Sequence, residues 1–513
     1  MAGKRGPGER VTLSAIKDTY FAGDYETCLS MCDSFSHRDA KDTAEIVLLR
    51  ARCLIPLGRG DHAVEALRGL RIADEHHDEY ITGRMLMSAA YVSLGKYDEA
   101  LEIARKAYDE IGDVHPTVRA ELTLNLAIAH YRKGQYAAAS RLLDLILETE
   151  DIVYVRALQF RGGVAWSSGD FVGSLDKFRE AALRIKQCRH QDRFIEAHGL
   201  FSLTYLCSQL PRLDLWPDVS KRIEEFDWSA SGVTAWRYWI LLESSYITEM
   251  LGDLETTVAL ATLAEEIAPD STALIGAWCR LAEVFGQNGE RRAHAYFTKK
   301  AVTRYDAIPR DSRLREHWPL PLDVAEQILL TDSPLSASRL VTYFSEVIAP
   351  TIKSVGGDGR KIESRYALIR GLLENQRGNR SLAREAYQRA LDICRTAGLQ
   401  WSAAIIAYHL FVLTGEEQYE TFINEALRDV SDQYWVKARL AKGRIEARLT
   451  NKQLEVVRLI AEGKSNKEIA SARGISVSRA KNTVAEIFAI VGVQSRAELA
   501  TLATTRGLLQ PTQ

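Results

Sequence analysis

No stretch of this chain is apolar for long enough to span a bilayer, which takes about 20 residues. The opening MAGKRGPGER also lacks the apolar segment of a secretory signal, so a cytoplasmic location is expected. Cysteine is sparse: seven in 513 residues (Cys28, Cys32, Cys53, Cys188, Cys207, Cys279, Cys394), odd in number and scattered. That argues against a disulfide framework and for reduced thiols. The phosphate-cradling GxxxxGK[ST] loop is missing, since Gly463-Lys464-Ser465 has no upstream glycine at the required spacing. No Ser/His/Asp or Cys/His spacing argues for an activated nucleophile, so no catalytic residue, and no enzyme, is expected. No cofactor is implied either.

What remains is long, apolar enough for substantial cores, and unevenly charged. A length of 513 residues exceeds what one core usually serves and implies two or more domains. The net charge of −2 conceals a split. From Tyr434 onward there are fourteen Lys/Arg against six Asp/Glu, while the preceding residues hold 52 against 62. A basic tail on an acidic body is the asymmetry expected when only the tail meets a polyanion.

The tail is punctuated as four short helices. Capping boxes open three of them: Thr450 with Gln453, Ser465 with Glu468, Ser495 with Glu498. Glycines follow their ends at Gly463, Gly474, Gly492 and Gly507. Apolar residues keep helical spacing at Leu454, Val457, Leu459 and Ile460, then Ile469 and Ala470, then Ala480, Val484, Ile487, Phe488 and Val491. Only Gly474-Ile475-Ser476 separates the second helix from the third, a helix-turn-helix connection with Ile475 as a buried plug. Off its apolar stripe the third helix shows Ser478, Arg479, Lys481, Asn482 and Ala485. Arg and Lys donate to guanine, Asn pairs with adenine, and Ala fits beside a thymine methyl. Helix N-termini at Ser465 and Ser476 offer N–H groups to phosphate oxygens.

On these residues the tail resembles the C-terminal DNA-binding domain of LuxR-type bacterial regulators. The ungapped run carrying the resemblance includes Leu449, Thr450, Glu455, Val456, Gly463, Asn466, Lys467, Glu468, Ile469, Ile475, Ser476, Lys481, Asn482, Ile487, Gly492, Val493, Ser495 and Arg496. The resemblance implies a third helix in the major groove of double-stranded DNA, a fourth (Ser495–Arg506) pairing two protomers, and contact with RNA polymerase. From their own chemistry, Arg479, Lys481, Asn482 and Ala485 are expected at base edges, and Ser465, Asn466, Ser478 and Thr483 at phosphates. Half-sites in a homodimer's operator would then lie about 34 Å apart. The chain departs from the family's usual Thr-Val at Arg479-Ala480, from His at Thr483 and from Lys-Leu at Ile490-Val491. Those residues lie on or beside the reading surface, so the family's base preference does not carry over.

Upstream the chain repeats itself. A glycine, a bulky residue two places on and a small one five places on recur at Gly23-Tyr25-Cys28, Gly95-Tyr97-Ala100, Gly134-Tyr136-Ala139, Gly169-Phe171-Ser174, Gly252-Leu254-Thr257 and Gly378-Arg380-Ala383, with Gly58 and Gly289 heading weaker copies. Neighbouring clear copies are spaced by 39 and 35 residues, each glycine lying between apolar-periodic segments of helical length. The small residue allows two antiparallel helices to approach. The pattern resembles tetratricopeptide repeats, best in Met85–Ile111 and in the copy containing Gly371, Gly378, Ala383, Tyr387 and Ala390. Ten or eleven helical pairs would fill 11–432. A body of this kind leaves no room before the tail for a receiver domain or for the acyl-homoserine-lactone domain of well-known LuxR relatives.

Several features sit awkwardly in the array. Pro309, Pro319, Pro321, Pro334 and Pro350, followed by Gly356-Gly357, break or loop out a repeat across 309–350, and an irregular repeat is favoured over a hinge. A second lapse spans Pro211–Asp227, with Trp216, Trp228, Trp236, Trp239 and Trp278 around it, read as core more readily than as a ligand platform. Cys28 and Cys32, near His37, fall on packing positions and are read as core, not as metal ligands. His76-His77-Asp78-Glu79 is read as a solvated turn.

The expected fold is all-α: a tetratricopeptide-like superhelix followed by a four-helix LuxR-type domain. Its parts are a disordered arm (1–10), the repeat array (11–432), a basic, solvated helical linker (433–448) and the helix-turn-helix domain (449–509). The expected function is a bacterial transcription regulator whose array senses a protein, peptide or small-molecule effector. The alternative is a repeat scaffold or adaptor with the tail as a docking module.

Overall fold

The computed structural model describes residues 11–35, 40–70, 77–112, 114–147, 152–188, 192–210, 212–308, 320–330, 334–348, 359–440, 449–491 and 493–505. Outside it lie the 1–10 arm, His37, His76, Pro211, Pro309, Pro319, Pro350, Gly356-Gly357, linker residues 441–448, and the helix-ending Gly492 and Gly507. Among the described residues there are helices and turns but no strand, and no helix is long and apolar enough to cross a membrane. The chain divides into two compact units: Met1–Thr248 with Leu254–Ala403, and Glu249–Asp253 with Ala404–Gln513.

From Leu13–Phe21 and Tyr25–Asp33 to Gln400–Thr414 and Glu417–Ala426, the described helices follow one another two by two, and nine of these successive pairs pack helix against helix. All eight glycines heading the repeat pattern stand in the left-handed region: Gly23, Gly58, Gly95, Gly134, Gly169, Gly252, Gly289 and Gly378, with φ between 71° and 85°. Only glycine takes that conformation without a steric penalty, so each ends the first helix of its pair and releases the chain into the second. Five residues on, Cys28, Ala63, Ala100, Ala139, Ser174, Thr257 and Ala383 are all 0% exposed. These are the points of closest helix approach. Later in the copy Met85–Ile111, Ala104 and Ala107 are sealed in the same way. At Gly371 the approach is tighter still: a Cβ there would meet the Tyr387 ring at 2.3 Å.

The proline-rich region keeps the pairing in shortened form. Leu320–Leu329 and Pro334–Tyr343 are ten residues each, followed by a π-helical turn, Phe344–Ile348. Pro321 and Pro334 sit in first turns, where no intrahelical N–H is lost. Charge is buried here. Arg365 pairs with Asp323 at 2.6 Å and Glu326 at 2.7 Å, and burial pushes both carboxyl pKa values up despite the guanidinium.

The Pro211–Asp227 lapse holds a short helix, Trp216–Glu225, and then a turn against which the first helical pair packs. Gly232 donates its N–H to the Gly23 carbonyl at 2.9 Å, and Ser231 Oγ bonds Asp24 and the Glu26 N–H. An open cleft of about 680 Å³ results, lined by Asp18, Phe21, Lys186, Arg193, Arg222 and Phe226 among others.

The tryptophans do not form one platform. Trp228 lies at a tilt against Phe226, Trp278 donates to Glu265 at 2.7 Å, and Trp236 lies against His198, Phe201 and Phe194. Cys28 and Cys32 are buried in the first core. The Cys32 thiol pulls the Cys28 pKa down, but Cys53 and burial outweigh it and push it up to about 12. The first part of the stretch expected to be a solvated linker is packed instead. Tyr434, Trp435, Val436 and Leu440 are buried, and Lys437 donates to the Val430 carbonyl at 2.6 Å. Its apolar residues are buried on several sides of the segment, and that burial overrides its basic composition.

Candidate nucleic-acid interface

The terminal bundle consists of helices Asn451–Ala461, Asn466–Arg473, Val477–Val491 and Arg496–Thr505. Their inward faces meet in one core of Leu449, Val456, Val457, Ile460, Ile469, Ala470, Ala480, Val484, Ile487, Val493, Leu499 and Ala503, with Ile475 and Phe488 packed against it. Val456, absent from the residues chosen by periodicity, is more deeply buried than Leu454 or Leu459.

The helix ends are built from side chains. Thr450 and Ser465 form complete capping boxes with Gln453 and Glu468. At the third site Ser495 accepts from the Glu498 N–H at 3.1 Å, but the Glu498 carboxylate reaches one residue further, to the Gln494 N–H at 2.9 Å. Gly463 and Gly474 are left-handed. The paired bonds Gly463 N–H to Ile460 and Lys464 N–H to Leu459 close the first helix, and Ile475 N–H to Ala470 closes the second. Arg496 ties the fourth helix to the second, donating to Asn466 Oδ1 at 2.9 Å and to the Lys464 carbonyl.

The third helix buries Ala480, Val484 and Ile487 and leaves the rest of its first three turns to solvent. Ser478, Arg479, Lys481, Asn482 and Ala485 are exposed, and Thr483 is half-buried. At about 100° per residue, Ser478, Lys481, Asn482 and Ala485 fall within one arc of about 100° opposite the buried stripe. Arg479 stands apart, about 160° around the axis from Lys481. The eight residues expected to touch DNA are therefore outward or half-outward, but they do not share a single face.

The two N-termini expected to receive phosphates differ. At Ser465 the box is closed: its N–H donates to Glu468 Oε2 at 2.7 Å, so a carboxylate already holds that place. Those hydrogen bonds hold the Glu468 pKa below its usual value. Asn466 has its Oδ1 taken by Arg496, leaving Nδ2 to donate. At Ser476 the first turn has no acid, and Ser476 Oγ accepts from Arg479 N–H at 3.2 Å. The reading helix thus keeps the N-terminus better suited to an anion. Thr483 Oγ1 donates to the Arg479 carbonyl at 3.0 Å and is left to accept.

Two further side chains of this helix are open to solvent. Val477, the first residue of the reading helix, is 49% exposed. Glu486, one turn beyond Asn482, is an exposed acid. The i, i+4 spacing from Asn482 to Glu486 was the available signal.

Residues 447–503 match the bacterial regulatory proteins of the luxR family, and residues 91–159 match the tetratricopeptide repeat. The transcriptional regulatory protein YdfI of Bacillus subtilis (strain 168) is 37% identical over 71 residues, 14% of this chain. The matched stretch spans 33% of that protein's own length. Among solved structures, a Rap protein complexed with competence and sporulation factor is similar at a TM-score of 0.46 and 12% identity, covering 72% of this chain and 100% of that one. The apo form of the quorum sensor NprR from B. thuringiensis gives 0.40 at 12% identity, over 74% and 97% of the two chains. The chain carries a LuxR-type helix-turn-helix domain at its C-terminal side and tetratricopeptide repeats upstream.

Proposed function

We propose that this protein is a transcription regulator: residues 449–509 bind promoter DNA, and the array at 11–432 receives the signal, joined to them through 433–448. The observation that carries the reading is the third helix of the bundle, apolar on one side and open on the other. That open side presents Lys481, Asn482 and Ala485, donors and a small apolar group matched to base edges. The helix belongs to a domain holding eight basic and five acidic residues between 449 and 505. Ser478 and Thr483 then address phosphates beside the groove, together with Ser465 and Asn466 as far as their bonds within the domain allow. Arg479, off the shared arc, is placed to reach the flanking backbone. Two protomers pair through the fourth helix and contact RNA polymerase from the assembled operator.

The effector is a protein, peptide or small molecule held by the repeat array, where stacked helical pairs offer extended surfaces. The test is titration of the full chain against genomic fragments at several salt concentrations. A small set of fragments bound far above the rest, with affinity falling steeply as salt rises, is expected. Uniformly weak binding to all fragments would leave the terminal bundle a protein-docking module.

A further inference from the structure

The reading helix opens on an apolar side chain that its own domain leaves half open. Val477 is 49% exposed. It belongs neither to the core of the bundle nor to the partly buried residues packed against it. Among the described side chains of 449–505 it is the one large apolar group left exposed. Local helix chemistry does not call for it either, since a first turn favours an acid and valine is a mediocre helix former. This first turn holds no acid, so it presents no negative charge to a phosphate backbone. At about 100° per residue, Lys481 lies about 40° around the axis from Val477 and Ala485 about 80°. The three form one i, i+4 ridge, with Arg479 about 160° away from its first residue.

In helix-turn-helix domains the N-terminal residues of the second helix contact base edges. The ridge then carries a methyl-bearing side chain into the major groove beside a donor. Valine forms no hydrogen bond, so its choice of partner there is narrow. Covering the edges of guanine, adenine or cytosine would strip water from polar atoms and pair them with nothing. The C5-methyl of thymine is the one apolar group that bases display in that groove. We propose that Val477 is a specificity-determining residue that packs on the C5-methyl of a thymine in the operator. The inference rests on the third helix being the major-groove element. Four residues of helix advance about 6 Å, so the thymine lies within about two base-pair steps of the base that Lys481 meets.

In vitro selection from random duplexes with the full chain is expected to enrich a site with one position fixed as thymine. Replacing each thymine of that site in turn by deoxyuridine removes a methyl and leaves base pairing and O4 in place. At the one position, binding read by fluorescence anisotropy should weaken about fourfold, the worth of one buried methyl. This measurement needs no variant to fold. In Val477→Ala, whose alanine suits an exposed helix position, the same exchange should change affinity by less than about twofold, because most of the apolar contact has gone. A wild type indifferent to the loss of every thymine methyl overturns the inference and leaves the DNA reading standing. So does a penalty that Val477→Ala shows undiminished, which would place the methyl against another side chain. A wild type that enriches no site overturns both.

Discussion

Removing Lys481 and removing Arg479 should have different consequences, although the two residues are near neighbours in sequence. Both are exposed on the third helix, and alanine is the best helix former, so either substitution leaves folding within about 0.5 kcal/mol. Lys481 shares its arc with Asn482 and Ala485. If it donates to a guanine, its loss costs about 1–3 kcal/mol of discrimination, roughly 5- to 150-fold in the ratio of operator to scrambled binding. Arg479 lies about 160° away around the helix and would meet phosphate. Losing it should lower affinity for every duplex alike and reduce the slope of log K against log salt by about 0.9. Fluorescence anisotropy with one selected operator and one scrambled duplex, each at four or more salt concentrations, separates the outcomes. The geometry is refuted if Arg479→Ala erases the operator preference while Lys481→Ala changes only the salt slope.

The array offers two further tests. Gly371→Ala should destabilise by about 1–3 kcal/mol, because the added methyl would meet a Tyr387 ring that is 1% exposed and cannot withdraw; thermal unfolding of the array measures it, and an unchanged midpoint would mean the two helices separate freely. Asp192, buried at the start of Arg193–Gln209 and accepting from the Ile195 N–H at 3.2 Å, has its pKa raised to about 6 by burial against those N–H bonds and Arg156. Since its folded pKa lies above its unfolded one, its contribution is present below about pH 4 and lost as pH rises through 6. Asp192→Asn, which keeps the cap, should therefore raise stability at pH 7 by about 1–3 kcal/mol and gain little at pH 4, as melting curves at the two pH values would show.

Much of this was legible because the signals are local. A left-handed residue is needed where one helix turns sharply into the next, so all eight repeat glycines could be read from spacing, and the small residues five places on follow from helix contact. The reading helix was legible for the same reason, its polar residues being sorted from its apolar ones by helical period. What escaped depends on distant partners. Gly232 meets Gly23 across more than two hundred residues, and neither sequence announces the other. The tryptophans near 216–278 are close in sequence but disperse because successive helices turn them into different cores. Net charge suggested a solvated stretch after Tyr434, yet Tyr434, Trp435 and Leu440 bury themselves.

The two parts of the chain end their helices by different means, and the difference reflects how each is stabilised. In the array the second helix of a pair often starts with no side-chain cap, at Arg59, Lys96, Gln135, Glu290 and Asn379. The glycine turn supplies the closure instead, as where Lys96 N–H returns to the Tyr91 carbonyl at 2.9 Å. Stacked repeats bury their faces against neighbours on both sides. The terminal bundle is held by one small core and closes two of its helix starts with full capping boxes, where those five array helices start without a side-chain cap. Ser465→Ala should thus cost about 1 kcal/mol locally, whereas Lys96→Ala should fall within about 0.5 kcal/mol of wild type. No tryptophan lies between 449 and 513, so hydrogen exchange of the 466–473 and 97–109 peptides is the suitable readout. Equal loss of protection at both sites would contradict this account. Protection lost in 466–473 alone would mean that the helix feeding into the reading helix is held by its cap.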